Sequence, residues 1–126
     1  MANPVSATRP LVVKITCGAE ELERLNQGLT VAATALAAGA EVSLWLTGEA
    51  SWLALPGRAE ELVLPHGAPL ADLRDALLAG ASVTVCGQCA ARRDIAPEDL
   101  IEPAVVRGAA AFVEEILRPD AQALVY

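Results

Sequence analysis

The segment of this chain best equipped for chemistry is Cys86-Gly87-Gln88-Cys89, a C-x-x-C. It follows a short β-branched run, Ser82-Val83-Thr84-Val85, and precedes Ala90-Ala91-Arg92-Arg93, which reads as a helical turn. A thiol placed where a strand passes into a helix meets free backbone N–H groups and the positive end of the helix dipole. Both stabilise a thiolate, so the pKa is expected below the free value of about 8.5. Arg92 and Arg93 are expected to add to this and Asp94 to offset them. Cys86 and Cys89 are therefore the candidate catalytic residues. Cys17, after the first apolar run, reads as a buried spectator. His66, between Pro65 and Gly67, reads as a solvated loop histidine.

Other chemistries find less support. Cys17, His66, Cys86 and Cys89 would make four zinc ligands, but structural zinc sites use two local ligand pairs and only one exists, so no metal is expected. No G-x-G-x-x-G follows the first strand and no G-x-x-x-x-G-K-[ST] occurs, so no nucleotide cofactor is expected. The carboxylate pairs Glu20-Glu21, Glu60-Glu61 and Glu114-Glu115 are sequence neighbours that do not share a helix face, and they read as solvated charge. Trp45 and Trp52 read as packing residues at a sheet edge or an interface.

The elements that must position the thiols follow from periodicity. Residues 1–9 read as a flexible lead and residues 10–126 as a single domain. Residues 11–16 read as a strand, and Cys17-Gly18 breaks it. From residue 20 to 38, Leu22, Leu25, Leu29, Ala32, Ala33 and Leu36 recur mostly at steps of three and four, one face of a helix, with Gly39 as a left-handed cap. A second strand is expected at 41–46, a short helix at 50–55 and a third strand at 61–64. Pro69 opens a helix whose inner face is Leu70, Leu73, Ala76 and Leu77 and whose cap is Gly80. A fourth strand at 82–85 leads into Cys86. Pro97 resembles a further helix start, 108–117 reads as a helix, and 121–125 closes with a fifth strand.

Strands alternating with helices imply right-handed βαβ units and a parallel sheet. The apolar strands imply cover on both faces. The expectation is an α/β fold, a three-layer α/β/α domain with a mostly parallel five-stranded sheet. In such sheets sites form at the carboxyl ends of the strands, so all three thiols should share one edge.

Composition bounds the setting. The chain has 126 residues, 54% of them hydrophobic but only 3% aromatic, which calls for a core of Leu, Val and Ala. The net charge of −7 repels phosphate backbones and anionic lipid heads, so no direct nucleic-acid partner is expected. No stretch reaches the ~18 to 20 apolar residues of a membrane span, and the opening MANPVSATRP does not read as a secretory signal. Three cysteines, an odd number, fit a reducing compartment better than a disulfide scaffold. These features together point to the cytoplasm.

The segment from Ser82 to Ile95, SVTVCGQCAARRDI, resembles the DsrE/DsrF-like family, which includes the YchN-like and TusD-type proteins. That family's pattern is an apolar strand, a cysteine, often C-G-x-C, and then an R-G-[ILV] turn. Here Arg93-Asp94-Ile95 stands where Arg-Gly-Ile is usual. The first strand and helix and the exit Ala37-Ala38-Gly39-Ala40-Glu41-Val42 share the likeness. The resemblance implies a parallel five-stranded α/β/α fold, homotrimers or homohexamers, and sulfur trafficking in which Cys86 accepts a persulfide sulfur from a donor protein and passes it to an acceptor. Cys89 is not a general feature of the sulfur-relay members. Three readings follow: a sulfur carrier acting through Cys86, a dithiol redox protein cycling Cys86 and Cys89, and a non-catalytic homo-oligomeric interaction module.

Overall fold

A computed structural model of the chain describes residues 9–126. The expected lead, apart from Arg9, lies outside the described residues. Five strands, β1 (Pro10–Ile15), β2 (Glu41–Leu46), β3 (Ser82–Cys86), β4 (Val105–Arg107) and β5 (Gln122–Val125), form one sheet of order β4-β3-β2-β1-β5. Every pairing is parallel. Four α-helices accompany them: α1 (Leu22–Ala37), α2 (Leu70–Gly80), α3 (Gly87–Arg92) and α4 (Ala109–Ile116). The α/β/α expectation therefore holds.

The two faces of the sheet are covered unequally. Val13, Ile15, Val42, Leu44, Leu46, Val83 and Val85 are buried in one cluster with Leu25, Leu29 and Ala32 of α1 and Leu70 and Leu77 of α2. Two glycines allow this close layer. A Cβ on Gly28 would stand 2.8 Å from Ile15 Cδ1, and one on Gly80 would stand 2.9 Å from Leu36 Cδ2. Gly80 is thus the last residue of α2 and a packing contact, not the left-handed cap expected from sequence; Ala81 after it is extended. Gly39, at φ 97°, does take the left-handed conformation after α1.

The opposite face carries Lys14, Ser43, Trp45 and Thr84, and α4 is the helix that packs there, through Phe112 and Glu115. None of its eight residues is buried. Both faces are covered as expected, but this layer is one short helix over a partly polar surface.

Two expected elements are exchanged. The run 61–64 is not a strand: a 3₁₀ turn, Ala59–Glu61, leads into irregular backbone, and Val63 is 79% exposed. A strand needs a neighbour with open N–H and C=O groups, and β2 already pairs with β1 and β3 on its two sides. The strand that completes the sheet is β4, three residues between Ala104 and Gly108 that pair with the free side of β3. The helix expected at 50–55 is a 3₁₀ segment, Gly48–Ala54, and the helix start at Pro97 is a single 3₁₀ turn, Pro97–Asp99.

Candidate functional site

All three thiols lie at the carboxyl edge of the sheet, on opposite sides of it. Cys17 follows β1 two residues after Ile15 and lies in the α1–α2 core, 4% exposed. Its thiol donates weakly to the Glu21 carbonyl at 3.8 Å. Burial, with Glu20 adding to it, pushes its pKa up. It is buried, as its position suggested.

Cys86 is the last residue of β3 and stands immediately before α3. Strand alternation puts Val83 and Val85 on the α1–α2 side and Thr84 and Cys86 on the α4 side. Cys86 is partly exposed. Burial raises its pKa, but the Cys89 amide and thiol, the Gln88 amide and the charge of Lys14 outweigh it, holding the thiol below its ordinary value. The stabilisation comes from individual amides of the first turn, since α3 has only six residues.

Cys89 sits one turn into α3. The backbone N–H of Gly48 donates to its sulfur at 3.1 Å. Gly48 has φ 53°, and a Cβ there would lie 2.5 Å from the Thr16 carbonyl oxygen. Only glycine places this amide between the end of β1 and the sulfur without strain.

The cation that favours the Cys86 thiolate is Lys14, and the expected pair Arg92 and Arg93 plays another part. Arg93 donates through Nε to Glu49 Oε2 (2.8 Å) and through Nη1 to the Cys89 carbonyl (3.1 Å). That pairing ties α3 to the loop after β2. Arg92 is exposed. Lys14, the chain's single lysine, lies in register with Trp45 and, through it, with Thr84, on the face that Cys86 shares. Its ammonium stands 4.8 Å from the centre of the Phe112 ring. Arg107, the register partner of Cys86, turns away: it donates to Thr84 Oγ1 (2.7 Å) and Glu115 Oε2 (3.0 Å).

The turn after α3 forms despite Asp94. Asp94 has φ 54°, its N–H bonds the Ala91 carbonyl (3.3 Å), and the Ile95 N–H bonds the Ala90 carbonyl (2.9 Å). This is a Schellman closure, and aspartate is among the few side chains that tolerate the left-handed position.

Several residues have roles the sequence did not disclose. Glu115, expected as solvated charge, accepts from Ser43 Oγ (2.6 Å), Trp45 Nε1 (3.0 Å) and Arg107 Nη2 (3.0 Å). It anchors α4 to the sheet. Glu60 makes a two-pronged pair with the buried Arg74 at 2.8 Å, and this holds its carboxyl down to about 2. Trp45 is buried in the middle of the sheet rather than at an edge, edge-on to Phe112 at 5.4 Å. Trp52 lines a cleft of about 140 Å³ with Gly18, Glu49 and Arg58, whose guanidinium stacks 4.1 Å above its ring. His66 is exposed in a turn at φ 65°. Among the described residues no three His, Cys, Asp or Glu side chains come together to hold a metal ion.

The chain matches the DsrE/DsrF-like family over residues 11–122. The crystal structure of the YchN protein from E. coli superposes with a TM-score of 0.76 at 19% identity, covering 94% of this chain and 99% of that one. No curated protein sequence matches the chain.

Proposed function

Because the chain belongs to the DsrE/DsrF-like family, we propose that it is a cytoplasmic sulfur-trafficking protein in which Cys86 accepts and passes on a persulfide sulfur. The observation that carries this reading is the partly exposed Cys86 sulfur at the sheet rim, with the amides of Gln88 and Cys89 and the charge of Lys14 favouring its anion. The thiolate is the form that attacks a sulfane sulfur. It displaces the donor's thiolate, and the transferred sulfur stays on Cys86 as a persulfide. An acceptor thiol on a partner protein then removes it. Among the described residues no helix is long and apolar enough to cross a membrane.

Copies of this chain would assemble, as a trimer or hexamer, through α4 and the neighbouring edge strand. Val113, Leu117 and Val125 are 44%, 74% and 63% exposed there, and an apolar patch of this kind suits subunit contact.

Incubation with a low-molecular-weight hydropersulfide, followed by intact and peptide mass spectrometry, tests the reading. A gain of about 32 Da, one sulfur, on the Cys86 peptide is expected, most cleanly in Cys89→Ser. Cys86→Ser should show none. The same gain in Cys86→Ser, or no gain in any form, removes the proposal. The dithiol reading keeps one specific support: Cys86 and Cys89 stand near each other, at the start of α3 and one turn into it.

A further inference from the structure

We propose that Cys89 is a resolving thiol, which attacks the sulfur of a loaded Cys86 and releases the carried atom as hydrosulfide. The inference rests on persulfide formation at Cys86 and adds to it a second activity, sulfide release without an external thiol.

Two geometric facts and the lowered Cys86 thiol carry it. Cys86 is the extended residue that caps the start of α3 and Cys89 is the third residue of that helix, so the two stand across its first turn. The Cys86 sulfur, whose anion the neighbouring Cys89 thiol favours, becomes the inner sulfur once the persulfide has formed. The Cys89 sulfur also accepts the Gly48 N–H at 3.1 Å, from a different loop. The Gly48 amide holds the Cys89 sulfur in place at the start of α3.

The step balances. A Cys86 persulfide anion and the Cys89 thiol give a Cys86–Cys89 disulfide and HS⁻. The S–S bond between Cys86 and the carried sulfur breaks, and a bond between the two cysteine sulfurs forms. The Cys89 proton goes to the departing sulfur. The carried sulfur is reduced by two electrons, and the two cysteines are oxidised by the same two. A second turnover needs a dithiol reductant to reopen the disulfide. Gly48 acts as a positioning residue: its positive φ and its close approach to the Thr16 carbonyl hold the amide on the Cys89 sulfur.

The test loads the chain with a small hydropersulfide, removes excess donor by rapid desalting, and follows mass and free sulfide with no added thiol. The unsubstituted chain should lose the added sulfur, release one equivalent of sulfide and settle about 2 Da below its reduced mass, with Cys86 linked to Cys89 on peptide mapping. Cys89→Ser should keep the adduct at least roughly tenfold longer and release correspondingly less sulfide. An adduct equally long-lived in both forms overturns the resolving role and leaves sulfur carriage at Cys86 standing. So does sulfur that moves to Cys89 without release. If Cys89→Ser takes up no sulfur at all while the Cys86–Cys89 disulfide also fails to form in the unsubstituted chain, carriage itself fails and this inference falls with it.

Discussion

Cys17 and Cys86 occupy the same edge of one sheet, yet the two faces on which they lie push their chemistry in opposite directions. On the α1–α2 face the packing is continuous and apolar, and burial raises the Cys17 thiol. On the α4 face the cover is one short helix, the surface is partly polar, and amides and a lysine lower the Cys86 thiol despite its partial burial. Strand position brings a cysteine to the rim; the layer beneath it decides whether the thiol pKa is pushed up or down. Desolvation acts on both thiols, and only the second has enough donors to overcome it.

Two substitutions break this contrast from either side, the larger effect first. Glu115→Ala removes the acceptor shared by Ser43, Trp45 and Arg107, and leaves the Trp45 N–H and the Arg107 guanidinium without it. A loss of about 2 to 3 kcal/mol is expected in chemical denaturation. Cys17 should stay protected from alkylation while Cys86 becomes more exposed, because α4 loosens and the α1–α2 core does not. Gly28→Ala tests the other layer. Its Cβ would stand 2.8 and 2.9 Å from the buried Ile15 side chain. Overpacking costs about 1 to 3 kcal/mol, and the gain of alanine over glycine inside a helix offsets up to about 1 of it. A net loss of about 1 kcal/mol is expected, with Cys86 reactivity unchanged. A Gly28→Ala chain more stable than the parent would show the α1–α2 layer to be looser than described.

Much of this arrangement was legible in the sequence, for identifiable reasons. β1, α1, β2, α2, β3, α4 and β5 announce themselves by period or composition, and the placement of Cys86 and Cys89 after an apolar strand predicts a rim position. What was not legible depends on contacts between distant segments. Nothing local distinguishes Glu61-Leu62-Val63-Leu64, which never meets a strand, from Val105-Val106-Arg107, which does. Pairing, not composition, separates them. Lys14 reaches the face that Cys86 shares only because β1, β2 and β3 align it with Trp45 and Thr84. Arg92 and Arg93 looked nearer in sequence, yet Arg93 is taken up by Glu49. The Gly48 amide became part of the site through its approach to Cys89, 41 residues away. Glu60 and Glu115 looked like surface charge because sequence neighbours cannot reveal a partner such as Arg74 or Arg107.

The most direct test of the contrast between the faces is alkylation of the native chain with a small haloacetamide across pH, read peptide by peptide. Cys86 should label first and keep labelling below the pH at which an ordinary thiol loses its thiolate, its rate falling only as pH drops through its lowered pKa. Cys17 should label at least roughly 100-fold more slowly, through opening of the core. Equal labelling of the two, or a Cys86 that stays unlabelled while the chain is folded, would contradict the account.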